Sequence, residues 1–146
     1  MTQLYVTRIV SSDSSNGPSL RTSLYLSMRN GKARSVEDVF EELKTTRQDI
    51  SILGDEPLTQ WPALIELCKM IKKRTKRKIR LWTEYELPTI RRLMGDILRY
   101  VDTLIEGPYR EHLRDDKLPF RGSFNQQIWE ISHGKTISII HINDYL

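Results

Sequence analysis

The chain has a single cysteine, Cys68, among 146 residues. That excludes an internal disulfide and any metal site built from several thiolates of one chain. No apolar run approaches the roughly 20 residues a membrane-spanning helix needs. The start, Met1 to Val10, lacks the basic and apolar segments of a secretory signal. A cytoplasmic protein with no membrane association is therefore expected. The three histidines, His112, His133 and His141, have no zinc-like spacing and read as surface or strand residues. No Ser, His and Asp set stands out, and there is no internal repeat, low-complexity tract or linker. The net charge of +4 is modest. It permits an acidic or nucleotide partner without requiring one.

What is present fits a globular protein. Hydrophobic residues make up 38% and charged residues 29%, and the length suits one domain with its own core. Thr22 to Met28 has the β-branched and aromatic content of a strand, after a Ser-, Gly- and Asn-rich loop from Ser11 to Ser19. Ser35 is placed to cap a helix running to about Gln48, with Val36, Phe40 and Leu43 as its apolar stripe. Ile50 to Leu53 reads as a buried parallel strand, followed by the turn Gly54-Asp55-Glu56-Pro57. Trp61 to Arg74 repeats Leu64, Leu67, Cys68 and Ile71 at helical spacing, which makes Cys68 a core residue. Lys78 to Thr83 returns as a strand, and Pro88 opens another helix. Val101 to Glu106 is a fourth strand. An irregular stretch to Asn125 then leads to strand-like segments at Gln127 to Ile131 and Thr136 to Ile142.

This alternation predicts an α/β fold with a mostly parallel sheet. The units are too few for a closed eight-stranded barrel, so an open, partial barrel or a small doubly wound sheet is expected. Leu53 and Thr83 should end adjacent or near-adjacent parallel strands. A ligand site then belongs at the strand carboxyl ends. Gly54 to Pro57 and Thr83 to Tyr85 fall there.

Lys72 to Arg80 holds seven basic residues in nine. It reads either as a phosphate or nucleic-acid contact, or as a helix C-terminus whose cations complement the macrodipole. The absence of an aromatic within the run argues against nucleic acid. Asp115-Asp116, between Arg114 and Lys117, reads as a solvated loop. Arg121-Gly122-Ser123 with Asn125-Gln126 offers convergent hydrogen-bonding groups, either for a ligand or for tying the last strands to the sheet.

Four segments in order resemble the radical S-adenosylmethionine activase family of anaerobic ribonucleotide reductase. They are Asn16-Gly17-Pro18 with Arg21, Ile50 to Leu58 (ISILGDEPL), Leu81 to Tyr85 (LWTEY), and Thr103 to Gln126 with its R-G-S-x-N-Q ending. The resemblance implies one radical-SAM-activase-like domain over 1–146 with a partial, open radical-SAM-like barrel. It also implies a C-x-x-x-C-x-x-C loop whose three thiolates hold a 4Fe–4S cluster. Laid on this chain, those cysteines fall at Arg29, Ala33 and Val36. The second glycine of the family's GGEP turn is Asp55, and the glycine of its T-G-Y strand end is Glu84.

The expectation from these departures is a degenerate member with no cofactor and no metal. It would be a non-catalytic pseudoenzyme of phage or mobile-element type, with no catalytic residues. It would act by binding a protein partner such as an anaerobic reductase, or a small anionic or zwitterionic, nucleotide-like ligand. The alternative is an enzyme that binds S-adenosylmethionine or a nucleotide without a cluster and does polar chemistry. The expected ligand site comprises Asp55, Glu56, Thr83 and Tyr85 with Arg121, Ser123 and Asn125. Oligomeric state is left open.

Overall fold

The computed structural model describes residues 2–15, 19–118, 121–132 and 135–139. Asn16, Gly17, Pro18, His133, His141 and the 140–142 end of the expected last strand lie outside the described residues. The strands are β1 (Gln3–Asp13), β2 (Arg21–Leu26), β3 (Lys32–Ser35), β4 (Ile50–Gly54), β5 (Ile79–Trp82), β6 (Thr103–Glu106), β7 (Gln127–Ser132) and β8 (Lys135–Ile139). The helices are α1 (Val36–Leu43), α2 (Trp61–Arg74) and α3 (Leu87–Met94).

All strands join one sheet of order β3-β1-β2-β4-β5-β6-β7-β8. The fold is mixed α/β, and the sheet is open. The centre, β2-β4-β5-β6, is parallel. Both flanks, β3-β1-β2 and β6-β7-β8, are antiparallel. The expected mostly parallel sheet is therefore corrected to a parallel centre between antiparallel wings. The expected adjacency of the strands ending near Leu53 and Thr83 is met by the parallel pairing of β4 with β5.

Strands β1 and β3 were not legible. Only Leu4 and Val6 of β1 are buried, and its Ser-rich half runs exposed along β2 with irregular register. Strand β3 is a four-residue edge strand, too short for an alternating pattern.

The three helices pack on one face of the sheet. Leu24, Leu26, Ile50, Ile52, Ile79, Leu81 and Leu104 share a core with Val39, Phe40, Leu64, Leu67, Ile71 and Ile90. Each such side chain contributes about 1.5–3 kcal/mol on burial. The Ser35 hydroxyl caps α1 by accepting from the Asp38 amide at 3.0 Å. The helix stops at Leu43 rather than near Gln48. There the Arg77 guanidinium gathers the carbonyls of Leu43 and Lys44, at 2.6 and 3.2 Å, and that of Thr46.

Arg77 thereby resolves part of the basic run. Lys72 pairs with Asp102 at 2.7 Å, and Arg74 lies 5.3 Å from the Phe40 ring. These cations tie α1 and α2 to each other and to the residue that precedes β6.

Candidate functional site

The turns that follow the parallel strands are joined to one another by side chains. After β2, the Ser27 hydroxyl donates to Asp55 Oδ2 at 2.6 Å and accepts from the Asn30 amide at 3.0 Å. After β4, Glu56 accepts three times. Its Oε2 takes the Leu58 amide at 2.9 Å and the Thr83 hydroxyl at 2.8 Å, while Oε1 takes the Glu84 amide at 2.8 Å. After β5, Glu84 Oε1 takes the Tyr109 amide at 3.1 Å. The loop after β6 is then pinned to the R-G-S-x-N-Q segment. Ser123 Oγ accepts from the Arg110 amide at 3.1 Å, and Asn125 donates to the Pro108 carbonyl at 2.8 Å.

Gln126 closes the last loop on itself. Its Oε1 accepts from the amides of Gly122 and Ser123, and its Nε2 donates to the Gly107 carbonyl at 3.0 Å. Arg121 donates to the Gln126 carbonyl at 2.6 Å, and burial lowers its pKa. Glu106, at the end of β6, accepts from the Leu87 amide at the start of α3. Burial pushes its carboxyl pKa upward.

One glycine of the turn after β4 is required by geometry. Gly54 has φ +129°, and a Cβ there would overlap the Leu26 carbonyl oxygen. The neighbouring position has no such demand, so Asp55 fits and spends its carboxylate on Ser27. Close backbone approach in this turn belongs to Gly54, not to Asp55.

The structure therefore brings Asp55, Glu56 and Thr83 to one small crevice, with Gly54, Trp82, Glu84 and Gln126 in its wall. Its volume is about 80 Å³, well short of the roughly 300–1,000 Å³ typical of small-molecule pockets. A neighbouring pocket of about 320 Å³ shares Gly54 and Asp55 and adds Arg8, Tyr25, Ser27 and Asn30. The Arg8 guanidinium sits 4.2 Å from the Tyr25 ring centroid. Tyr85 donates its amide to the Thr83 hydroxyl, and its side chain packs against the main core. Arg121, Ser123 and Asn125 stand apart from the crevice, in the loop that Gln126 closes. Ser27, Glu84 and Gln126 are the linking residues missing from the expected set. Gln126 was signalled by the R-G-S-x-N-Q ending, whereas nothing local marks Ser27.

A protein-family model described as a 4Fe-4S single cluster domain matches residues 16–129. The anaerobic ribonucleoside-triphosphate reductase-activating protein of Enterobacteria phage T4 is 31% identical over 150 residues, covering 87% of this chain and 94% of the relative. The chain belongs to this family of activating proteins. The relative of the same name in Haemophilus influenzae is 32% identical over 100 residues, covering 63% of each chain. That of Escherichia coli (strain K12) is 27% identical, covering 77% of this chain and 90% of the relative.

Membership overturns three expectations. Relatives named as activating proteins, and a family model built on a 4Fe-4S domain, contradict a non-catalytic pseudoenzyme. They give no support to the alternative of cluster-free polar chemistry. They also point to an iron–sulfur cofactor where none was expected. Those expectations leaned on the missing thiols and on Asp55 and Glu84, a few positions of a similarity that runs along most of the chain.

The ligands for such a cluster are not evident in this chain's own donor set. Cys68 is fully buried in α2, and burial pushes its thiol up to about 12, which disfavours the thiolate a metal needs. Among the described residues, no group of three or more His, Cys, Asp and Glu side chains is arranged to hold a metal ion.

Proposed function

We propose that the chain takes part in activating an anaerobic ribonucleoside-triphosphate reductase, in the cytoplasm, as a single domain over 1–146. The observation that carries this reading is the length of the similarity to the phage T4 activating protein, 94% of that relative. The architecture is in keeping with a radical-SAM-like open barrel, with helices on one face and linked turns at the strand carboxyl ends. No described helix is long and apolar enough to cross a membrane.

The reductase meets the protein at those linked turns. Met28, Trp61, Tyr109 and Phe124 stand 52%, 37%, 42% and 62% exposed there. They follow β2, β4 and β6 or precede β7. Exposed aromatic and methionine side chains around a polar centre are the composition of an interface. Asp55, Glu56, Thr83 and Tyr85, with the loop of Arg121, Ser123 and Asn125, shape the surface between them.

The test is anaerobic mixing with the reductase, supplied with iron, sulfide, reductant and S-adenosylmethionine. Co-elution of the two proteins and the appearance of reductase activity are expected. Replacing Trp61 and Phe124 together by Asp should weaken co-elution by about tenfold or more without lowering the melting temperature. Wild-type protein that neither associates with nor activates the reductase ends this reading.

A further inference from the structure

The solvent side of the helix layer is divided by charge. Strands β3, β4 and β5 run the same way, so α1 and α2, which cross between them, also point the same way. On α1 the outward positions are Glu37, Asp38, Glu41 and Glu42, all acidic and exposed. On α2 the outward ridge carries Glu66 and then Lys69 and Lys73, at helical spacing and exposed. Between the helices runs a groove of about 430 Å³, with Val36 and Met70 in its floor, Glu37 on one wall and Lys69 and Lys73 on the other.

Part of this charge is already engaged. Arg34 holds Asp38 at 2.6 Å and Glu42 at 2.9 Å, and Lys44 holds Glu41 at 2.7 Å in an exposed pair. Arg74, on the α2 wall, lies over the Phe40 ring. Glu37, Glu66, Lys69 and Lys73 have no side-chain ion pair or hydrogen bond among the described residues. Glu37 and Lys73 therefore line one groove without meeting. With Arg74, the α2 wall stays positive despite Glu66, and with Glu37 and Glu41 the α1 wall stays negative despite Lys44.

Such a surface complements itself. A two-fold axis along the groove keeps the height of every residue and exchanges the two walls. Glu37 stands level with Lys69 and Lys73, so in that packing it faces the same lysines of a second copy, and the reverse contact forms with it. A two-fold axis across the groove lays α1 on α1 instead, acid against acid. The charges thus select the first axis and work against the second. The paired walls flank two apolar floors, and excluding water there strengthens the attraction.

We propose that this groove is the interface of a symmetric homodimer, in which α1 of each copy lies over α2 of the other. The occupant is a second copy of this chain, held by Glu37 and Glu41 against Lys69 and Lys73 on both sides of the axis. The proposal does not depend on the reductase reading, since it concerns the protein by itself.

The experiment is sedimentation equilibrium over a range of protein concentration, at salt of about 0.1 M and about 1 M, where the screening length falls from about 10 Å to about 3 Å. A dimer is expected, with its dissociation constant raised about tenfold or more by the added salt. Lys69→Glu with Lys73→Glu should weaken it as much, and so should Glu37→Lys with Glu41→Lys. All four positions are exposed, so both variants should keep the wild-type circular dichroism. The deciding arm mixes the two variants. Each repels itself, yet together their walls are again opposite in sign, and a one-to-one heterodimer is expected. A wild type that stays monomeric at low salt overturns the proposal. So does a dimer that both charge reversals leave unchanged, and so does a mixture that fails to pair while the wild type dimerises.

Discussion

The helix-covered face and the carboxyl-end turns of this protein are held by different physics. Under the helices, aliphatic side chains from six strands and three helices exclude water, and no single contact decides the outcome. At the turns, a few carboxylate, hydroxyl and amide side chains each satisfy several backbone groups, and losing one leaves named donors unpaired. The first region tolerates exchange of one apolar side chain for another of like volume and resists loss of volume. The second tolerates loss of volume and resists a change of atom type.

Substitutions that swap these demands break the comparison. The largest effect is expected for Ile52→Ala, a fully buried residue at the centre of the sheet. It should cost about 2–5 kcal/mol in urea unfolding. A loss below 1 kcal/mol would mean that the core rearranges around the missing methyls. Next is Glu56→Gln, which keeps the shape but offers one oxygen where two accept. Its amide would face the Leu58 or Glu84 N–H, and a cost of about 1–3 kcal/mol is expected. Full stability with unchanged exchange of both amides would contradict the role given to this carboxylate.

How much of this was legible is clearest at α2 and at the turns. Trp61 to Arg74 declared itself by periodicity, because a helix writes its buried face every three to four residues. The β4-β5 adjacency followed from alternation of elements. Strand β1 did not declare itself, since most of its residues answer to β2 and β3 rather than to the core. At the site, the sequence marked Asp55, Glu56 and Thr83 by position after strands. It did not reveal that Glu56 is already engaged, because its partners lie 27 and 28 residues away. Departures from the cysteine pattern were plain to read, but they outweighed a similarity spread over most of the chain, and the functional expectation went wrong there.

Smaller effects sharpen the contrast. Arg77→Met should cost about 1 kcal/mol by freeing the last carbonyls of α1, read as faster amide exchange in that helix. No change in α1 exchange would count against the cap. Glu84→Gly restores a small residue and should cost under about 1 kcal/mol, since the bond from its side chain to the Tyr109 amide is exposed. Protection of that amide should fall while the melting temperature barely moves.

The smallest effect concerns pH. Asp13 is held down to about 2, first by the Ser15 hydroxyl and then by the Ser15 amide. Its contribution is present above the ordinary value of 3.8 and is lost as pH falls through about 2. Asp13→Asn should flatten the stability curve across that acid window, with a small loss of stability above 3.8 and none at the acid end. An unaltered acid limb would assign the dependence to other groups.

The links between turns also set a timetable. Ser27 to Asp55, Glu56 to Glu84 and Glu84 to Tyr109 span 28, 28 and 25 residues, one strand–helix unit each. Each link therefore waits for a complete crossover, and closing such a loop is paid in chain entropy before the bond returns anything. The hairpin of β1 and β2 needs no crossover and is free to form first. The protein should assemble outward from its packed helices, with the acidic seam at the strand ends among the last features to lock. Slow refolding steps should accordingly show themselves in the amides of Glu84 and Tyr109 after the helices are already protected.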